Sequence, residues 1–129
     1  MAAEGLKRFL ATNLQSTYLL AVVMQELRAG ARTAEQVESL EAGVFGPFER
    51  RNRVIMPTLR AFKESGRILA ECAVHERIDV SKAAASFVND TLIAACCRHE
   101  GITLITRDAD HNRIARHLKG FRHIAPLFL

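Results

Sequence analysis

The chain has 129 residues, 49% of them apolar and 25% charged, with a formal net charge of +4 and a pI near 9.3. That length gives one domain with a core of its own, and no apolar run approaches the ~20 residues a bilayer-spanning helix needs. The first eight residues have no long apolar stretch, so no signal peptide is expected and the cytoplasm is the expected compartment.

Leu6, Phe9 and Leu10 recur at helical spacing, so residues 4–13 are expected to form a helix that ends at Asn13. The aliphatic and β-branched run around Leu19 and Leu20 predicts a buried strand at 17–21. A helix with Met24, Glu26 and Leu27 follows and stops near Gly30. Thr33 with Gln36 has capping-box spacing and starts a helix that buries Val37 and Leu40 and runs toward Gly43. The stretch 43–53 holds Gly46-Pro47 and the basic group Arg50, Arg51 and Arg53.

Val54-Ile55-Met56 predicts a brief strand ended by Pro57. Pro57 suits the first helical position, and Leu59, Phe62, Ile68, Leu69 and Cys72 supply the apolar stripe of the helix it would open. Ser81 is the expected cap of the next helix, which carries Phe87, Val88, Leu92, Ile93, Ala95 and Cys96 and ends at Gly101. A strand at 102–105, a helix at 109–118 and a last strand at 121–124 complete the chain. Short apolar strands alternating with helices imply right-handed crossovers, a parallel sheet covered on both faces, and a single α/β domain over residues 1–129.

Cys72, Cys96 and Cys97 have no zinc-ligand spacing and are expected to be reduced residues of the core. Tyr18 and the seven phenylalanines are assigned to the core as well. The five histidines are scattered, and only His111 lies near acids in the sequence. The moderately basic balance favours polyanionic partners, and Arg50, Arg51, Arg53, Arg107, Arg113 and Arg116 are candidate phosphate contacts.

Ligands of open parallel sheets gather beyond the carboxyl ends of the strands. Asp108 lies three residues past Ile105 and should stand at such an end. Glu26 is expected to open the helix after the first strand at the same edge, and Asp90 lies in the N-terminal half of the helix leading into 102–105. Clustered carboxylates repel one another unless a cation sits between them, and hard oxygen donors suit Mg²⁺ or Mn²⁺. The bland alternative makes Glu26 and Asp90 surface acids and Asp108 and Asp110 helix caps.

Three motifs in order sharpen the choice: Gln25-Glu26-Leu27-Arg28-Ala29-Gly30-Ala31, Asn89-Asp90-Thr91-Leu92-Ile93-Ala94-Ala95, and Leu104-Ile105-Thr106-Arg107-Asp108-Ala109-Asp110. From about Ser16 onward the chain resembles the PIN-domain ribonucleases, notably the VapC-like toxins. The resemblance implies a three-layer α/β domain with a central parallel sheet and RNA phosphodiester hydrolysis with Mg²⁺ or Mn²⁺. It makes Glu26, Asp90 and Asp108 the catalytic, metal-facing acids and Asp110 a second acid of the last motif, where His111 stands in place of the usual phenylalanine. It further implies Thr106 and Asn89 as supporting residues, Arg107 and Arg113 as RNA contacts, and a homodimer paired with a small antitoxin through the helices of residues 6–40, with Leu6, Phe9 and Leu10 as contacts. The family's opening strand, which ends in an aspartate followed by Thr or Ser, has no counterpart here, because Ala11-Thr12-Asn13 lacks the acid. The expectation is therefore a PIN domain without its first strand, showing weak or no Mg²⁺-dependent RNA cleavage. The alternative is a non-catalytic remnant that acts only by binding an antitoxin or another partner.

Overall fold

The computed structural model describes residues 2–126, with side chains from residue 5 onward, and these divide into two compact units, residues 2–56 and Pro57–Pro126. Both are α/β with parallel strands.

In the first unit, helix α1 (Ala2–Asn13) ends where the Asn13 side chain turns back to donate to the Phe9 carbonyl at 2.9 Å. A 3₁₀ turn (Leu14–Ser16) leads to strand β1 (Leu19–Leu20), shorter than expected, and helix α2 (Ala21–Gly30) starts directly from it. Glu26 therefore does not open α2; it is an exposed residue in the second turn. Helix α3 (Ala34–Leu40) carries the expected capping box, in which Thr33 Oγ1 accepts from the Gln36 N–H at 3.1 Å while Gln36 accepts from the Thr33 N–H.

Where the sequence suggested a stop near Gly43, the chain stays helical through a π-helical turn (Glu41–Phe45) into α4 (Gly46–Arg50). Pro47 explains this. Its ring has no N–H and crowds the preceding turn, and the wider turn relieves that crowding by letting the Gly46 N–H bond the Glu41 carbonyl. Strand β2 (Val54–Ile55) then pairs in parallel with β1, Leu19 against Val54 and Leu20 against Ile55.

Leu10, Leu19, Leu40, Val44, Phe45 and Phe48 form the buried core of this unit, with Leu6 and Phe9 packed against it. Leu10 is buried in this core, while Leu6 and Phe9 are half-buried against it and stabilise the unit through their apolar contacts. Tyr18 also departs from its core assignment. It is 45% exposed and lies under the Arg53 guanidinium, 4.5 Å from the ring centroid. Arg53, which also donates to the Thr17 carbonyl, is committed to this contact.

The second unit is built on α5 (Leu59–His75) packed against α6 (Ala85–Glu100). Thr58, not Pro57, begins α5: its hydroxyl accepts from the Ala61 N–H at 3.1 Å, a bond that proline cannot make. The buried stripe is Ala61, Ser65, Ile68 and Cys72, whereas Leu59 and Phe62 are 79% and 57% exposed. The Ser65 and Thr91 hydroxyls lie 2.6 Å apart inside this packing. Thr91 spends its single hydroxyl hydrogen on the Val88 carbonyl at 2.7 Å, so Ser65 is the donor and Thr91 the acceptor.

Asp79 accepts from the Ser81 N–H and caps a 3₁₀ turn (Val80–Lys82), so Ser81 caps no helix, and α6 starts at Ala85 without a side-chain cap. Gly101 ends α6 at φ 68°, with the Ile102 N–H reaching back to the Cys97 carbonyl. Beyond it, β3 (Leu104–Ile105) pairs in parallel with β4 (His123–Ile124) and encloses α7 (Asp110–Ala115). The three cysteines are free and buried, and burial pushes the Cys96 and Cys97 thiols up to about 11 and about 12.

Glu76, just past α5, ties that helix to the segment around α7. Its carboxylate accepts from Arg116 at 2.7 Å and from His117 Nε2 at 2.7 Å, with Arg113 3.7 Å away. Partial burial opposes its ionisation, but the His117 hydrogen bond and the charges of Arg116, His117 and Arg113 outweigh it and hold the carboxyl below the ordinary glutamate range.

Replacing Thr91 with Val keeps the shape but leaves the Ser65 hydroxyl without an acceptor, at an expected cost of about 1–3 kcal/mol in denaturant unfolding. The Ser65→Ala/Thr91→Val pair should recover most of that loss, because neither polar group remains. A carboxyl depressed by folding contributes stability above its unfolded value that is lost as pH falls through its folded value. Below the ordinary glutamate value of 4.5, the native chain should therefore lose stability that Glu76→Gln lacks at every pH, as a series of thermal melts would record.

Candidate metal centre

The second unit gathers Asp90, Asp108 and His111, with one donor atom of each lying within 4.8 Å of the others. Their positions follow from local structure. Asp90 is the sixth residue of α6, 7% exposed, and directly precedes the Thr91 that accepts from Ser65. It is beyond the first turn, so the helix dipole adds little there. Asp108 lies past the carboxyl end of β3, the edge of a parallel strand where ligands collect.

The loop that carries Asp108 is held by its own side chains. Thr106 Oγ1 accepts from the Asp108 N–H at 3.1 Å, and Asp108 Oδ1 accepts from the Asp110 N–H at 2.9 Å. The Asp110 N–H is the main reason the Asp108 carboxyl lies below the ordinary range; burial opposes it, and the hydrogen bond with Asp90 and the nearness of His111 reinforce it. Asp108 thus stays an anion beside Asp90 and His111.

His111 is in the first turn of α7 and is 2% exposed. Burial is the largest influence on its ring and pulls its pKa down, favouring the neutral imidazole, although Asp108 and Asp110 act in the opposite direction. Nδ1 lies 3.4 Å from Thr106 Oγ1, and Nε2 faces Asp90 Oδ1 across 3.9 Å. The rings of Phe121 and His123 flank it, with centroids 6.1 and 6.2 Å away.

Of the acids singled out in the sequence, Asp90 and Asp108 meet here. Asp110 lies next to them, and its N–H is what holds Asp108. Glu26 belongs to the first unit, where its side chain is exposed. Thr106 grips the backbone of Asp108, and Asn89 is half-buried beside Asp90. Arg107 is exposed next to Asp108, while Arg113 is drawn toward Glu76 and lies over the Phe87 ring at 6.0 Å. His111 is the member that sequence reasoning left out. Its signals were the i, i+3 spacing from Asp108 and a histidine where the resembled motif has phenylalanine.

A second group of donors, Cys72, Glu76 and His117, also lies within 4.8 Å. The cysteine spacing gave no hint of it, because His117 arrives from beyond α7. Its chemistry is already satisfied, since both Glu76 oxygens accept from cationic or imidazole donors, and burial raises the Cys72 thiol, disfavouring the thiolate a metal needs. The Asp90–Asp108–His111 group fits a divalent cation better: two carboxyls crowd together, and a buried ring nitrogen faces them without a hydrogen-bond partner.

No curated protein matches the chain. The family model described as the PIN domain matches residues 2–117, a span that opens well before the Ser16 at which the motif resemblance begins. PIN domains are in general nucleases, they act on RNA, and they typically depend on divalent metals. With a match over most of its length and paired acids at the end of a parallel strand, the chain belongs to the PIN-domain family.

Proposed function

We propose that the chain is a metal-dependent endoribonuclease of the VapC-like toxin type, hydrolysing RNA phosphodiester bonds with Mg²⁺ or Mn²⁺. The observation that carries this reading is the approach of Asp90 and Asp108 beyond the end of β3. The bound cation supplies positive charge for the developing phosphate anion and acidifies water.

The roles of the side chains follow from their placement. Asp90, buried in a helix locked by its neighbour Thr91, is the rigid ligand. Asp108, exposed and held through its backbone by Thr106, is the ligand nearest the substrate side. Asp110 adds negative charge beside the centre as a further acid, and Asn89 supports Asp90. Arg107, exposed beside Asp108, contacts an RNA phosphate, with Arg113 as a second contact. The chain acts as a PIN-like domain in the cytoplasm, as a homodimer controlled by a small antitoxin.

The test is cleavage of a single-stranded RNA by the full chain with Mn²⁺ and with EDTA. Slow cleavage that EDTA abolishes and that Asp90→Asn lowers on the order of 100-fold, with an unchanged circular dichroism melt, is the expected result. Cleavage that survives EDTA, equal cleavage by Asp90→Asn, or none above the EDTA control overturns the proposal.

A further inference from the structure

We infer that His111 is itself a ligand of the Asp90–Asp108 centre, through Nε2, and that this nitrogen donor makes the centre prefer a transition-metal ion to Mg²⁺. The inference rests on the reading that Asp90 and Asp108 hold a divalent cation, and it adds a ligand and a metal class that the acids alone do not specify.

The first support is an orphaned atom. His111 Nε2 is buried and has no hydrogen-bond partner among the described residues. Buried polar atoms in folded proteins are nearly always satisfied, so an orphan in a ring that is 2% exposed calls for a physical reason. Asp90 Oδ1 stands 3.9 Å away, beyond hydrogen-bond range, so neither a neutral nor a charged ring makes a normal bond to it. A cation ligated by Nε2 beside the carboxylates would give that nitrogen a partner.

The second support is the other side of the ring. A histidine that ligates a metal uses its remaining ring nitrogen to fix tautomer and orientation through a neighbouring acceptor. Nδ1 faces Thr106 Oγ1 at 3.4 Å, and the same oxygen accepts from the Asp108 N–H. Thr106 thereby orients two of the three donors. With the proton on Nδ1, the Nε2 lone pair points into the cluster, while the Phe121 and His123 rings restrict rotation of the imidazole.

The metal preference follows from ligand chemistry. Carboxylates and water suit Mg²⁺, whereas imidazole favours later divalent metals, whose affinity for nitrogen donors rises from Mn²⁺ through Co²⁺ toward Cu²⁺. A mixed nitrogen and carboxylate set therefore separates Co²⁺ or Mn²⁺ from Mg²⁺ far more than carboxylates alone.

The probe is Co²⁺, titrated into the full chain and followed by calorimetry and visible absorption, with Mg²⁺ in parallel. The native chain should bind Co²⁺ more tightly than Mg²⁺. His111→Phe should weaken Co²⁺ binding by about 10- to 100-fold and change Mg²⁺ binding by less than about 3-fold. Its metal-free melting temperature should hold or rise, because a buried orphan nitrogen is removed. Undiminished Co²⁺ affinity in His111→Phe, or an equal loss for both ions, overturns the inference. Asp90→Asn separates the two readings: if it abolishes Co²⁺ binding while His111→Phe does not, only the histidine ligand fails, and if neither affects binding, the carboxylate centre fails with it. A thiolate charge-transfer band that Cys72→Ser removes would place the ion at Cys72 and also overturn the inference. Should His111→Phe not fold, ¹⁵N spectra of the native chain with Zn²⁺ decide: a shift confined to the His111 Nε2 resonance supports ligation, and an unmoved resonance rules it out.

Discussion

Inside the α5–α6 contact, Ser65 donates its hydroxyl hydrogen to Thr91, which passes its own to the Val88 carbonyl. This short chain of hydrogen bonds is the constraint on which the second unit turns. It satisfies two hydroxyls in a region where an unpaired one would be costly, and it fixes the rotation of α6 about its axis. Asp90, the residue before Thr91, inherits that rotation. A carboxyl buried in the body of a helix would otherwise be a liability, and here it is held where a second carboxyl and an imidazole arrive from the β3–α7 connection.

That connection is organised with equal economy. Thr106 and Asp108 use their side chains to satisfy the backbone N–H groups of Asp108 and Asp110, which shapes the turn between strand and helix. The same bonds aim Asp108 and His111 toward α6. Farther along, Glu76 gathers Arg113, Arg116 and His117, so the end of α5 holds the segment around α7 through charge. The centre therefore stands on a helix pair, a strand end and an ion cluster, each of which limits its movement in a different direction.

Much of this was legible from the order of residues. The strand positions, the capping box at Thr33, the left-handed stop at Gly101 and the sequence of alternating elements all follow from local rules whose cause lies within a few residues. Where local rules failed, a neighbour had intervened. The helix expected to run toward Gly43 instead continues through a π-helical turn into α4, which carries Pro47. On α5 the residues Leu59 and Phe62 are periodic, as are Ala61, Ser65, Ile68 and Cys72, and periodicity alone cannot say which stripe meets a partner. The smaller, less apolar stripe is the one that packs on α6.

The acidic motifs were likewise visible, since Asp90 and Asp108 each sit in a short pattern that sets their place on a helix or past a strand. The sequence by itself therefore determined the α/β alternation, the family and two of the acids that meet. Tertiary structure alone decided that His111 is buried against those acids with an unpartnered nitrogen, and that Cys72, Glu76 and His117 come together. The physical reason is that propensity, capping and periodicity act between residues near in sequence. Burial, and the pairing of donors from α6 with those from the β3–α7 connection, exist only once the chain has closed on itself.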